Sequence, residues 1–142
     1  MKQFFLRALA YVVITFPLAV VWHMVAFRDV YESLGYIGRD EPIFALVFLA
    51  IATQGLVLSY LYPLFRRGGN RTREGLTFVL VTGLFLWSSH VVAAAAKAEI
   101  SPLCTFFAVE TAYLVVQFAL AGIAFTLISD RGGREAVQNP TG

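Results

Sequence analysis

Three side chains that could exchange protons lie inside apolar stretches of this sequence. Glu110 is the only Asp, Glu, Lys or Arg between Leu103 and Ile128, and His23 and His90 each lie within two turns of the end of another apolar stretch. An ionisable group inside a membrane-spanning helix is costly and usually faces protein or water. At 1.5 Å of rise per residue, all three would lie roughly 6–10 Å below one boundary. Because a carboxyl group beside imidazoles can pass protons near neutral pH, one interpretation of the three residues is a proton or cation relay.

Other interpretations of the same three residues stay open. Two histidines and a carboxylate match the ligand count of a zinc or non-haem iron site. His23 and His90 on facing helices could also be the axial ligands of a haem. The sequence contains no HExxH motif, so no cofactor is predicted. The plainest interpretation is that both histidines are satisfied interfacial residues and that Glu110 is a structural carboxyl that joins helices.

Three further polar residues are candidates for the same layer or for its support. Gln117 follows Glu110 by two helical turns, so the two side chains share one face of a helix. Lys97 follows His90 by two turns and could extend outward or pair with an acidic group such as Glu110. Gln54 lies near the middle of a separate apolar stretch. Polar residues of this kind most often join helices to one another.

Small residues indicate where helices approach closely. Gly55 and Ser59 form one small-xxx-small pattern, and Gly122 begins a similar one that ends at Thr126. Such patterns let two helix backbones come together. We expect packing within the bundle, with an interface between copies of the chain as the alternative.

The elements that must position these residues are four apolar segments. The chain has 142 residues, of which 58% are hydrophobic and 14% charged, and a soluble domain of this length could not cover its core with so few charges. A helix needs roughly 20 apolar residues to cross about 30 Å of hydrocarbon. The segments predict an all-α, four-helix transmembrane bundle of up-down topology in residues 1–129. Its helices are expected at about 5–27, 42–65, 74–97 and 102–129, followed by a short polar cytoplasmic tail at 130–142.

Boundary signals frame these helices. Asp40-Glu41-Pro42 and Ser101-Pro102 predict helix starts, because capping side chains and proline favour the first turn. Gly68-Gly69 and Gly132-Gly133 predict helix ends. Three aromatic residues predict a belt at the outer membrane interface: Trp22, Trp87 and Tyr31.

The distribution of basic residues predicts orientation, since Lys and Arg in short loops stay in the cytoplasm. Eight lie at the ends and in the loop between the second and third segments: Lys2, Arg7, Arg66, Arg67, Arg71, Arg73, Arg131 and Arg134. Three lie on the other side: Arg28, Arg39 and Lys97. The count predicts a multi-pass membrane protein with both termini in the cytoplasm.

A weak internal repeat relates the two halves of the sequence. Trp22-His23 corresponds to Trp87-Ser88-Ser89-His90, and Gln54 corresponds to Gln117. An Arg-Gly-Gly tripeptide follows both the second and the fourth segment. The pattern is suggestive of a duplicated hairpin, although apolar helices also resemble one another by composition alone.

Short motifs occur along nearly the whole chain. They are Trp22-His23-Met24, Arg28-Asp29-Val30-Tyr31, Glu41-Pro42, Gln54-Gly55, Tyr62-Pro63, Trp87-Ser88-Ser89-His90, Ala96-Lys97, Glu110 with Tyr113, Gln117-Phe118 and Gly122. Together these motifs resemble small four-helix bacterial inner-membrane proteins that are grouped as a domain-of-unknown-function family. The resemblance implies the fold and the inner-membrane location, and it implies no activity.

Two classes of function follow from these observations. The first is a small permeation, proton-coupling or sensing protein that uses the layer of His23, His90 and Glu110. The second is a structural or accessory subunit of a membrane complex, without chemistry of its own. A membrane enzyme that acts on a lipid or a quinone is less favoured, because no nucleophile and base lie at a diagnostic spacing. The expected partners are the lipid bilayer and either further copies of the chain or a larger membrane complex, and no basic patch with interleaved aromatic residues predicts nucleic acid.

Overall fold

The computed structural model describes residues 1–36 and 42–138, and every regular element in these ranges is a helix. Four helices are long and apolar enough to cross a membrane, and we call them the first to fourth long helices. They are Lys2–Ala26, Phe44–Phe65, Arg71–Lys97 and Leu103–Asp130. The prediction of an all-helical chain with four long apolar helices is therefore confirmed.

Two of the long helices change from α to π geometry before they end. The first is α-helical over Lys2–Val21 and π-helical over Trp22–Ala26. The third is α-helical over Arg71–Trp87, π-helical over Ser88–Val92 and α-helical again over Ala93–Lys97. Each π turn contains one of the chain's two histidines. Such turns are rare in proteins. Many of those that occur lie at functional sites, where the extra residue changes the direction of a side chain.

The starts of the second and third long helices differ from the prediction. The second begins at Phe44, so Pro42 precedes the helix and is not in its first turn, while Asp40 and Glu41 lie outside the described residues. The third begins at Arg71, earlier than expected, because the Asn70 side chain accepts a hydrogen bond from the backbone N–H of Arg73. An asparagine in this position satisfies one of the free amide groups of the first turn.

The fourth long helix and the first loop also differ from expectation. The helix runs without a break from Leu103 to Gln138, so the prediction that Gly132-Gly133 ends it is wrong. The Arg, Glu and Ala residues around this glycine pair favour helix strongly enough to carry it onward. A short helix, Arg28–Ser33, lies in the segment that was expected to be a loop.

Neighbouring long helices run antiparallel. The first packs against the second and the fourth, and the third packs mainly against the fourth. Ser59 donates a hydrogen bond to the Phe4 carbonyl over 2.6 Å, which places the end of the second helix beside the start of the first. Trp87 Nε1 donates to Thr111 Oγ1 over 3.0 Å, which joins the end of the third helix to the start of the fourth. The second and third helices have less mutual contact than these pairs.

Two glycines lie where helices approach closely. A Cβ atom at Gly55 would lie 3.0 Å from the Ala8 carbonyl oxygen of the first helix. A Cβ atom at Gly122 would overlap Cγ2 of Val79 in the third helix. The small residues that the sequence singles out therefore lie at contacts inside the bundle.

One end of the bundle is rich in charge, and we call it the basic end. Arg66 lies 3.3 Å from Glu74, and Arg71 lies 3.1 Å from Asp130. Arg7 is buried there, donating to Ser129 Oγ over 3.1 Å. The opposite end, which contains both π turns, is called the histidine end. Large apolar side chains such as Phe85, 71% exposed, cover the outside between the two ends, which suits contact with lipid.

Candidate functional site

Glu110 lies at the centre of the histidine end. It belongs to the fourth long helix, and its side chain has no solvent exposure. The buried residues Phe106, Tyr113 and Leu114 flank it on the same helix. A carboxyl group in such surroundings needs a partner for each oxygen, since a buried polar atom without one costs free energy. His23 forms a hydrogen bond with one oxygen, and His90 lies close to the other.

His23 binds the carboxyl group and its own helix at the same time. Its Nε2 lies 3.1 Å from Glu110 Oε1, and its Nδ1 lies 3.0 Å from the Ala19 carbonyl oxygen. A carbonyl oxygen can only accept, so Nδ1 must carry a proton and donate it. The π turn places the ring where both contacts can form.

This arrangement fixes a proton between His23 and Glu110. With Nδ1 protonated, the bond between Nε2 and Oε1 can exist in two ways. Either an imidazolium donates to a carboxylate, or a carboxylic acid donates to a neutral imidazole. Both states have the same total charge and the same heavy-atom positions. The pair therefore holds one proton that either residue can own, and this is the property a proton-exchanging centre requires.

His90 approaches the other carboxyl oxygen from the third long helix. Its Nε2 lies 3.3 Å from Glu110 Oε2, and its side chain is 43% exposed, compared with 21% for His23. Within the described part of the chain, Oε2 accepts no hydrogen bond of ordinary geometry. His90 thus connects a buried, incompletely paired oxygen with the surface of the bundle.

Aromatic rings enclose the His23 side of the centre. The Tyr31 ring stacks on the His23 ring with centroids 4.8 Å apart, and the Tyr113 ring meets it edge-on at 4.7 Å. Tyr31 is fully buried, so its predicted place in an outer aromatic belt is wrong. The short helix Arg28–Ser33 turns this residue inward. Burial, followed by its proximity to Glu110, raises the pKa of Tyr31 well above its usual value.

A second polar group lies deeper in the bundle. Gln117 donates through Nε2 to the Tyr11 hydroxyl, and Tyr11 donates to Gln54 Oε1 over 3.0 Å. The first, second and fourth helices are joined by this chain of hydrogen bonds. Gln54 and Gln117 therefore meet each other through Tyr11 and belong to a separate layer from Glu110.

Lys97 does not belong to either layer. Its side chain is exposed at the histidine end, and no ion pair joins it to Glu110 among the described residues. Lys97 is the last residue of the third long helix, where its stem can extend toward solvent.

A cleft of about 400 Å³ opens beside the two polar groups. His23 and His90 lie at one end of it, and Gln54 and Gln117 lie at the other. Its remaining wall is mainly apolar, and includes Val47. The exposed edge of His90 is thus in contact with a space that reaches the outside of the bundle.

Two tyrosines of the site were not predicted. Tyr11 is the one tyrosine of the first long helix, and its hydroxyl group needs a partner when it is buried. That signal is present in the sequence. Tyr31 lies in the first loop, and no spacing rule relates a loop residue to His23 or to Glu110.

The donor set gives little support for a metal or a haem. Among the described residues, no group of three or more His, Cys, Asp and Glu side chains is arranged to hold a metal ion. A porphyrin with both histidines as axial ligands would have to lie between their Nε2 atoms, where the Glu110 carboxyl lies. A haem held in this way would displace the contacts that the carboxyl group makes with both histidines.

Comparison with known proteins finds no matching family model, no matching curated protein and no matching solved structure.

Proposed function

We propose that this chain is a membrane protein whose His23–Glu110–His90 centre takes up and releases protons. The centre serves either to couple proton movement to another process or to sense protons. The supporting observation is the double contact of His23. Because Ala19 fixes the Nδ1 proton, the proton between Nε2 and Oε1 can reside on either residue. His90, half-exposed in the cleft, exchanges this proton with the outside.

Coupling or sensing fits the interior better than a continuous pore. Between the Tyr11 layer and the basic end lie the fully buried rings of Tyr62, Phe78 and Phe125. Their centroids are 5.0–5.8 Å apart, in edge-on and stacked contacts. The Tyr62 hydroxyl bonds to Thr126 and Arg66 on the side of the basic end, and among the described residues no hydrogen bond joins these groups to the Tyr11 layer. The centre therefore exchanges protons with one side of the bundle.

Proton uptake after a pH jump tests this proposal. Purified protein in lipid nanodiscs would be moved between about pH 8 and about pH 5, the range in which imidazoles change charge. A pH dye would report protons bound per chain. We expect Glu110→Gln to remove about one bound proton, because an amide cannot share the proton of His23. Glu99→Gln, which changes an exposed carboxylate at the same end, is the matched control.

The alternative function is a structural clamp. Glu110 is fully buried and binds side chains of the first and third helices, as expected of a residue that joins helices. If Glu110→Gln lowers the unfolding temperature in nanodiscs but binds as many protons as the wild-type chain, the clamp is the better description. An accessory role in a larger membrane complex would then be the natural class.

We also propose that the chain lies in a bacterial inner membrane with both termini in the cytoplasm. The basic residues of the first helix and of the loop at Arg66–Arg71 lie together at the basic end, which supports a cytoplasmic location for that end. Cys104 is exposed at the histidine end and should react with a membrane-impermeant maleimide in spheroplasts. A Thr72→Cys variant that lacks Cys104 should react only after permeabilisation. The reverse pattern would contradict this orientation.

A further inference from the structure

The cleft beside the centre opens sideways, between the second and third long helices. These two helices meet near the basic end, where Tyr62 and Phe65 contact the Phe78 ring at centroid distances of 5.0 and 5.4 Å. At the histidine end the cleft lies between Phe44–Gln54 of the second helix and Leu86–His90 of the third. The cleft therefore opens toward the region that lipid tails would occupy.

The walls of the cleft are apolar in the middle and polar at both ends. The described lining residues include no Lys, Arg, Asp or Glu. Gln54 uses its oxygen to accept from Tyr11, and its amide N–H groups have no partner among the described residues. Thr15 Oγ1 is buried in the same wall and also has no hydrogen bond of ordinary geometry. His90 contributes an Nδ1 atom without a described partner at the opposite end.

We propose that this cleft binds a neutral, membrane-soluble molecule with a carbonyl-bearing ring head and an apolar tail, which is the chemical class of the quinones. The inference rests on the proposed function in one respect, namely that His90 belongs both to the cleft and to the proton-exchanging centre. The ring would lie in the cleft, with one carbonyl oxygen toward Gln54 and the other toward His90. The tail would leave between the second and third helices.

The chemistry of the lining selects this class over other lipids. A phospholipid head carries a phosphate, which binding sites usually recognise with Arg or Lys, and the described lining has neither. A fatty acid would bring its carboxylate close to Glu110, and two like charges in a dry site repel one another. Carbonyl oxygens need only hydrogen-bond donors, which the Gln54 amide and an imidazole N–H provide.

The dimensions of the cleft agree with a ring head. Thr15 and His23 lie eight residues apart on the first helix, so the polar ends of the cleft are roughly 12 Å apart along the helix axis. A six-membered ring with two opposed carbonyl groups spans part of this length, and the flexible glutamine and histidine side chains can reach the rest. The volume of about 400 Å³ lies in the usual range of small-molecule sites. Rings of Tyr36, Phe44 and Tyr113 offer faces for stacking.

Calorimetric titration tests the proposal directly. Wild-type protein in nanodiscs would be titrated with decylbenzoquinone, with decylbenzene as the control that has the same tail and no carbonyl groups. Lysophosphatidylcholine and decanoic acid would test the two competing lipid classes. We expect saturable binding of the quinone, at least tenfold tighter than that of each of the other three molecules, since a pair of hydrogen bonds contributes about this factor.

Two alanines of the second helix provide matched variants. Ala50 is exposed and lines the cleft, whereas Ala45 is also exposed on the same helix and is not among the lining residues. Ala50→Trp should fill the cleft and weaken quinone binding at least tenfold, and Ala45→Trp should leave it within about twofold. Both substitutions lie on the surface of the helix, so the fold should persist, and the unfolding temperature of each variant would verify this.

Each result decides the question. Equal binding of decylbenzene or lysophosphatidylcholine, or equal effects of the two tryptophan variants, would overturn the quinone site. Proton uptake that depends on Glu110 without any quinone binding would leave the proton centre standing and remove the ligand. Quinone binding without Glu110-dependent proton uptake would leave the ligand site standing and remove the proton centre.

Discussion

His90 faces the Glu110 carboxyl group with 3.3 Å between Nε2 and Oε2, yet it makes no hydrogen bond of ordinary geometry with that oxygen. His23 makes a proper hydrogen bond of 3.1 Å to the other oxygen. The two imidazoles therefore have different relations to one carboxyl group. His23 is hydrogen-bonded to it, and His90 lies between the carboxyl group and the cleft.

The first prediction is that His23 and Glu110 are more strongly coupled than His90 and Glu110. In double-mutant cycles with alanine, we expect a coupling energy of roughly 1–3 kcal/mol for the His23 pair and under about 1 kcal/mol for the His90 pair. The reason is that the His23 contact is a part-buried hydrogen bond, whereas the His90 contact is longer, half-exposed and not a hydrogen bond of ordinary geometry. Unfolding by added denaturing detergent would measure both values. Equal coupling would contradict the division of roles.

The second prediction concerns the contact between the third and fourth helices. Gly122→Ala would force a methyl group against Val79 Cγ2, and overpacking of this kind costs about 1–3 kcal/mol. Val79→Ala in the same chain should restore most of the stability. Gly83→Ala is the control, because its new Cβ would lie at an ordinary 3.5 Å from Phe118. Unfolding temperatures in micelles would measure the effects, and failure of Val79→Ala to rescue would show that the steric account is wrong.

The sequence predicts the long helices well because each needs only a run of apolar residues. It also places Glu110, His23 and His90 at one depth, since depth follows from counting along a helix at 1.5 Å per residue. Whether the three side chains meet depends on helix rotation, and the two π turns set that rotation locally. Nothing in the composition of Trp22–Ala26 marks a π turn, so the sequence could suggest that the side chains converge but could not establish it. Tyr31 was missed because a loop that folds inward has no periodic pattern.

The predicted repeat gains a structural parallel and also a difference. Both histidine segments form π turns at the same end of the bundle. Gln117 lies seven residues after Glu110, and the residue seven before Gln54 is Val47. Val47 lines the cleft. The second half of the sequence thus has the carboxyl group of Glu110 where the first half has the apolar side chain of Val47. This difference leaves the cleft beside Val47 free for a ligand, next to one carboxyl group.

The third prediction concerns alkaline pH. Burial, together with the nearby charge of Glu110, raises the pKa of Tyr36 to about 12, compared with about 10 in an unfolded chain. Because the phenol keeps its proton more firmly in the folded chain than in the unfolded one, folding loses stability once the unfolded chain releases that proton. The stability is therefore fully present below about pH 10 and is lost as the pH rises through about 12. In Tyr36→Phe this loss should disappear, so its unfolding temperature should fall less than that of wild type between about pH 9 and about pH 11. Tyr60→Phe removes an exposed phenol and should behave as wild type; an equal effect in both variants would contradict a specific role for Tyr36.

The fourth prediction is that the π turn of the third helix is what brings His90 to Glu110. Deleting the exposed Ser89 should return Ser88–Val92 to α geometry. His90 would then turn by about 100° around the helix axis, since one residue has been removed before it. In wild type, the ¹⁵N resonances of His90 should respond to Glu110→Gln, and in the deletion variant they should not. Ser89→Ala keeps the length of the turn and should behave as wild type. A His90 resonance that still responds to Glu110→Gln after the deletion would show that the turn does not position the ring, and the role of His90 in proton exchange would then need another structural basis.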